Sequence, residues 1–401
     1  MTISSGNVNK HKLKNLIDEL KKLVHDYLVE YIKFFPQKNL PKSISKLKQK
    51  LKSYSLLTSE DWLANYEDSS YFFKIGDVEI NNPLISAPIA GISDNTYRIF
   101  TRFFGSALTF TEMVTSYGIY YDNKKSLALT SITEFERPCA LQLFGAEPAV
   151  LTEAAKRVED KADIIDINMG CPAPKVLKAK SGGYLLQDEN KIKSIVSGLS
   201  SAVKKPVTIK VRTGWDKNNI NILNIAKIAE SSGASAITIH GRTVKQRFSG
   251  EVDHDVIRKV KKEVSIPVIA SGDIDSPQKA LEVLEFTGCD GVMVGRASRG
   301  SIWLLLDILL SFKSKDDILE GASLKELNFT PSVRWRKEFT ILYLKFLVYF
   351  KGEYKAAREF RKYFSWIFKG TRRVSEARKH FFKIETFEDA ISIIALVTEE
   401  D

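Results

Sequence analysis

The chain of 401 residues is 44% hydrophobic and 10% aromatic, long enough for two or three domains and too apolar for a disordered polymer. Its three cysteines, Cys139, Cys171 and Cys289, lack CxxC spacing, which argues against a disulfide framework or structural zinc and for a reducing, cytoplasmic setting. The formal net charge of +11 is uneven, with +5 on residues 1–75, +5 on residues 323–401 and +1 between them.

Basic ends on a near-neutral centre suggest an enzyme core with polyanion-binding attachments; a general lysine bias is the plainer alternative. The N-terminus lacks an apolar h-region and arginine and soon meets Asp18 and Glu19, so neither a secretory nor a transit signal is expected. No apolar run reaches the roughly 18–20 residues of a membrane span. The nearest, FTILYLKFLVYF (339–350), is interrupted by Lys345, and no membrane association is expected.

In chain order, HKLKNLIDELKKLVHDYLVEYIKFF places Leu13, Leu16, Ile17, Leu20, Leu23 and Val24 at helical spacing. Pro36 and Pro41 break that helix, and a lysine-rich helical stretch, SISKLKQKLKSYSLL, follows. Eight β-branched runs come next: 84–90, 107–113, 138–145, 164–170, 207–214, 236–242, 267–273 and 291–296. Amphipathic stretches separate most of them, among them 221–233 and 276–288, the latter opened by Ser276-Pro277 and closed by Gly288.

Such alternation means parallel pairing through βαβ crossovers, and eight repeats favour an α/β fold of the (β/α)8 TIM barrel type. A doubly wound sheet ranks second, because Gly-x-Gly-x-x-Gly is missing after the first strand. The expected division is an N-terminal helical extension (1–72), a barrel (73–312), and a connector with a helical domain (313–401). The extension is expected to pack on outer helices, with an RNA clamp or a partner site as alternatives.

Active sites of these barrels gather at the C-terminal ends of the strands. There the sequence puts Gln142, Asn168, the Thr208–Lys210–Arg212 face and the Thr238–His240–Arg242 face. Cys171 follows the fourth run in a Gly-Cys-Pro turn. Ser271-Gly272-Asp273 and Gly295-Arg296 end the last two runs, where backbone N–H groups can hold a phosphate. With Lys210 and Gln142 lining the pocket, flavin mononucleotide (FMN) suits the site; a phosphorylated sugar is not separated from it by spacing alone.

SAPIAGISDNTYR (86–98), DINMGCPAPKV (166–176), KVRTGW (210–215), TIHGRT (238–243), ASGDI (270–274) and VGRA (294–297) together resemble the dihydrouridine synthases, especially their bacterial B-type branch. GEYKAAREFRKYFSWIFKG (352–370) resembles that family's helical RNA-binding domain. The resemblance implies FMN-dependent reduction of uridine in folded RNA, transfer RNA ahead of ribosomal RNA, with NADPH as reductant. It implies flavin contacts from Pro88, Ile89, Ala90, Gln142, Lys210 and His240. Ser271, Gly272, Asp273, Gly295 and Arg296 would hold the phosphate, and Cys171 would donate the proton. Substrate contacts are expected from Asn168, Arg212, Arg358, Lys362 and Arg372, and the enzyme is expected to be a monomer. Cys139 and Cys289 are read as core.

One residue and one segment depart from the family pattern: Ile89 replaces a methionine, and Lys178–Gly183 differs beside the cysteine loop. Two other classes compete, a flavoenzyme of a small pyrimidine-like substrate and a non-catalytic RNA-binding protein. The basic C-terminal region opposes the first, and the paired presence of Cys171 and Lys210 opposes the second.

Overall fold

A computed structural model describes residues 4–34, 73–313, 329–371, 374–381 and 383–398. The lysine-rich stretch after Pro41, residues 314–328 of the connector, and Arg372 with Arg373 lie outside the described residues. Two compact units divide the chain, Glu67–Ala297 on the one hand and Met1–Tyr66 with Ser298–Asp401 on the other. Helix Leu304–Lys313, which the sequence division puts in the barrel segment, groups with the helical unit.

The first unit opens with a hairpin that the strand pattern did not single out, β1 (Phe73–Ile75) and β2 (Val78–Ile80), paired antiparallel. The barrel strands follow as β3 (Leu84–Ser86), β4 (Thr109–Phe110), β5 (Val114–Thr115), β6 (Cys139–Phe144) and β7 (Ile164–Met169). Then come β8 (Val207–Arg212), β9 (Ala236–His240), β10 (Val268–Ser271) and β11 (Gly291–Val294). Each of the eight expected runs carries a strand; the second, 107–113, holds β4 alone, and β5 lies just past its expected end. The order is β3-β11-β10-β9-β8-β7-β6-β4, with β5 also on β6, and every pair is parallel. A parallel bridge between Ile85 and Leu108 brings β3 back to the start of β4, so the ring is nearly closed.

The helices at 221–233 and 276–288 are Ile222–Ser231 and Pro277–Thr287. Ser276 accepts from the Lys279 N–H at the start of the second, and Gly288 ends it at φ 64, as the sequence signals require.

The hairpin explains why one mouth of the barrel is free for chemistry. Ile75 and Ile80 pack with Ile164, Ala236 and Ile269, which lie at or near the N-terminal starts of their strands. Gly76 permits this at φ 61, since a Cβ there would stand 2.6 Å from the Pro206 ring. The plugged end carries stability, and polar side chains are left to the opposite end.

In the helical unit, Ser4–Phe34 presents Leu16, Ile17, Leu20, Leu23, Val24, Tyr27, Leu28 and Tyr31 as a buried stripe. It packs on Val333–Lys351, where the Trp335 indole N–H donates to the Leu23 carbonyl at 3.0 Å. The Tyr27 hydroxyl donates to Asp307 of Leu304–Lys313 at 2.5 Å. Helix Glu353–Ile367 buries Phe360 and Phe364, and Phe368, spaced i, i+4, i+8 with them, is buried at its end. No helix of the described residues is long and apolar enough to cross a membrane.

Candidate active site

The period-two alternation of β6, β7 and β8 aims Gln142, Asp166, Asn168 and Thr208 into one buried network. Register puts Gln142 beside Asp166, Asp166 beside Thr208, and Asn168 beside Lys210. The Gln142 amide donates to Asp166 at 2.7 Å, and the Thr208 hydroxyl donates to the other carboxylate oxygen at 2.6 Å. The Asn168 amide donates to the Gln142 carbonyl oxygen at 2.9 Å. Burial lifts Asp166 to about 6 even though Thr208, Gln142 and Lys210 pull it down. Burial and the neighbouring Arg212 push Lys210 down to about 8.

Cys171 stands just past this network, and its loop is tied at both ends. The Asn168 side-chain oxygen accepts from the Gly170 and Cys171 N–H groups at 3.1 and 2.9 Å. Arg212 donates to the Gly170 carbonyl at 2.9 Å, and the Gly183 N–H donates to the Cys171 carbonyl at 3.1 Å. The departing Lys178–Gly183 segment is therefore the strap of this loop. At Gly182, φ is 60 and a Cβ would stand 2.7 Å from Val176 and 3.1 Å from the Cys171 Cβ. Burial raises the Cys171 thiol above its ordinary value, with the Ala173 backbone and Arg212 opposing. Unlike Cys139 and Cys289, both buried and pushed to about 12, Cys171 is half-exposed.

The ends of β9 and β11 supply positive charge, and the end of β10 supplies the carboxylate between them. Arg242, 3% exposed, and Arg296 both pair with Asp273, the Arg296 contact being 2.7 Å. Arg296 and Arg212 lie over the Phe248 ring at 4.6 and 5.4 Å. His240 meets the same ring edge-on, and burial with Lys210, Arg212, Arg242 and Arg296 forces it down to about 2. Gly272 takes φ 123 beside it, where a Cβ would come within 3.6 Å of the His240 Nε2. Ser271 accepts the Gly241 N–H at its carbonyl, and Gly295 lies against Ala87.

Across the ring, the Pro88–Ala90 turn leaves β3. Its Ile89 N–H donates to Ser93 at 2.8 Å, and the Gly91 N–H donates to Glu112. The barrel thus gathers Gln142, Asn168, Cys171, Lys210, Arg212, His240, Asp273 and Arg296 at its C-terminal end. Arg358 and Lys362 belong to the helical unit, where Arg358 is exposed beside Tyr354 and Lys362 lies over Tyr363.

Sequence reasoning passed over Asp166, Arg242 as a partner of Asp273, and Phe248. Alternation with Asn168 was signal enough for Asp166. The other two depend on which strands and loops become neighbours.

Asp166 and His240 make opposite contributions to acid stability. His240 falls from 6.5 to about 2 on folding, so the unfolded chain binds the extra proton and stability drops as pH falls below 6.5. Asp166 rises from 3.8 to about 6, so the folded chain holds the extra proton and stability drops as pH climbs through that window. Between about pH 4 and 6 the two slopes oppose. His240→Gln should gain on the wild type as pH falls, by up to ~1.4 kcal/mol per pH unit, and Asp166→Asn should lose by a similar slope. Urea midpoints of the protein across that range check both signs.

A family model described as dihydrouridine synthase (Dus) matches residues 85–399. The tRNA-dihydrouridine synthase B of Pseudomonas syringae pv. tomato is 39% identical over 316 residues, 79% of this chain and 91% of that protein. That of Vibrio cholerae is 38% identical over 323 residues, 80% of this chain and 97% of its own length. That of Pasteurella multocida is 40% identical over 299 residues, covering 74% and 87%.

Proposed function

The chain belongs to the dihydrouridine synthase family of oxidoreductases, and from that premise we propose that it reduces uridine to 5,6-dihydrouridine in transfer RNA, using FMN and NADPH. The donor set suits that cofactor. Lys210, Arg212, Arg242 and Arg296 all bear on His240, so the pocket is rich in positive charge. The buried His240 Nδ1 has no hydrogen-bond partner among the described residues, and Lys210 makes no salt bridge among them. A pocket with excess cations, an unfilled ring nitrogen and a glycine at φ 123 favours a phosphorylated planar group.

In this reading Pro88, Ile89, Ala90, Gln142 and Lys210 contact the flavin ring, with His240 beside it. The Ser271–Asp273 and Gly295–Arg296 backbones hold the phosphate end. The Asp273 carboxylate serves by aiming Arg242 and Arg296, since alone it would repel an anion. When bound, the flavin would supply hydride for C6, with NADPH as its reductant.

Cys171 carries the proton that C5 requires. The single observation supporting this is a half-exposed thiol whose pKa burial raises, fixed beside Lys210 by Asn168 and Arg212. A thiol of that kind stays protonated at neutral pH and is still acidic enough to give its proton up. Asn168 and Arg212 shape the uridine pocket, and the target base must leave its stack to reach it. Arg358 and Lys362, with Arg372 outside the described residues, add phosphate contacts whose strength falls with salt.

The test is the absorbance spectrum of the purified protein, then NADPH with unmodified transfer RNA. A yellow protein that bleaches and forms dihydrouridine is the expected result. A yellow protein inert on RNA would turn the reading toward a small-molecule substrate. A colourless protein that takes up no FMN would leave only RNA binding.

A further inference from the structure

The segment after β5 begins as a short helix, Ser116–Tyr120, whose Ser116 and Ile119 are buried. Its tyrosines face outward, with Tyr117 43%, Tyr120 37% and the following Tyr121 71% exposed. These rings are ordered against one another. Tyr117 and Tyr121 stack with centroids 6.3 Å apart and 15° between planes, and Tyr120 meets Tyr121 edge-on at 5.1 Å.

The cluster is braced from beneath. A Cβ on Gly118 would fall 2.0 Å from the Ser126 Oγ, so only glycine lets helix Lys124–Ala128 pack this closely. Asn123 caps that helix by accepting from the Lys125 and Ser126 N–H groups. Arg157 donates to the Tyr120 carbonyl at 3.0 Å and lies over its ring at 5.5 Å.

Charge around the rings is net positive. The nearby acids Asp122 and Glu153 are both committed to Arg157. Lys124, Lys125 and Lys156 are exposed and make no ion pair among the described residues. The patch also stands close to the barrel mouth. Met113 touches the Asn168 amide at 3.7 Å, and Tyr117 follows four residues later, a chain reach of at most about 14 Å.

We propose that Tyr117 and Tyr121, with Lys124, Lys125 and Lys156, form a stacking platform for an unpaired nucleotide of the RNA that flanks the reacting uridine. The inference rests on the uridine-reducing reading of the barrel. Extruding one base from folded RNA costs its neighbours a stacking partner. An exposed aromatic face replaces that partner without reading base identity, and adjacent lysines neutralise the phosphates. A protein partner would gain little from three lysines left without acids.

Tyr117→Ala/Tyr121→Ala should raise KM for transfer RNA about tenfold, equivalent to ~1.4 kcal/mol, while kcat at saturating RNA changes far less. Tyr117→Phe/Tyr121→Phe should restore wild-type KM, because the ring faces and not the hydroxyls carry the contact. In Tyr121→Trp, the added indole fluorescence should be quenched by transfer RNA. An active wild type whose KM is unaffected by the alanine pair overturns the platform. So does self-association that the alanine pair abolishes, which reassigns the rings to a second copy. A wild type that forms no dihydrouridine overturns the functional reading instead, and the Tyr121→Trp signal still decides whether RNA touches the rings.

Discussion

Replacing Cys171 with alanine is expected to leave flavin and transfer RNA bound while dihydrouridine formation falls about 10²- to 10⁴-fold, the usual contribution of a positioned general acid. The loop does not depend on the side chain that is lost. Its fastenings are the Cys171 N–H to Asn168, the Cys171 carbonyl to the Gly183 N–H, and the Gly170 carbonyl to Arg212. Alanine preserves all three, so a rate loss reports proton transfer and not collapse of the loop. Cys171→Ser adds a graded test. A hydroxyl is a far weaker acid than a thiol, so serine should rescue little despite its similar shape. Single-turnover conversion with pre-reduced enzyme isolates the step from NADPH binding. Unchanged turnover in the alanine variant would remove Cys171 from proton donation and point to water or another side chain.

The barrel was legible because its strands are buried on both faces and so read as β-branched runs bounded by Gly, Pro and Asp. The β1–β2 hairpin was not, because Phe73–Ile75 and Val78–Ile80 are too short to show a period. The site divides along the same line. Lys210, Arg212 and His240 stand out since charged groups are rare in buried strands, and the alternation that aligns them is local. Asp273 is different: its value lies in pairing with Arg242 and Arg296, both brought to it by strand neighbours in a parallel order. Exposure is invisible as well. Nothing in SYGIYYDNKK separates tyrosines that face water from the equally aromatic Phe360 and Phe364, which are buried.

The charges of the pocket also explain its polar core. Asp166 is the carboxylate of the β6–β8 network, and Gln142 and Thr208 hold both of its oxygens. It lowers the cost of keeping Lys210 charged without forming a salt bridge that would occupy the ammonium. His240, kept neutral by burial and then by the surrounding cations, can offer a ring nitrogen as an acceptor at neutral pH. The arrangement leaves donors and positive field aimed at the cavity, at a cost in stability that the plugged N-terminal end and the surrounding helices offset.

Arg98→Met should be the most destabilising single change in the barrel unit, by about 3–5 kcal/mol, because it strands a buried carboxylate. Arg98 and Glu136 are 3% and 0% exposed and meet at 2.6 Å. Methionine fills similar volume, so the loss is electrostatic and not a cavity effect. Arg98 also donates to the Ser93 and Ser131 carbonyls, and Ser93 in turn accepts from the Ile89 N–H. The substitution therefore loosens the Pro88–Ala90 turn assigned to the flavin ring, and FMN should dissociate more readily from whatever protein remains folded. The urea transition of the barrel, followed by amide exchange in Asn95–Phe103, should move down by at least ~1 M, given a slope of ~3 kcal/mol per molar urea. Adding Glu136→Gln removes the stranded charge while keeping an acceptor for Asn95. That double variant should recover a large part of the loss. If it is no more stable than Arg98→Met alone, the cost lies in the broken carbonyl contacts and not in the buried charge.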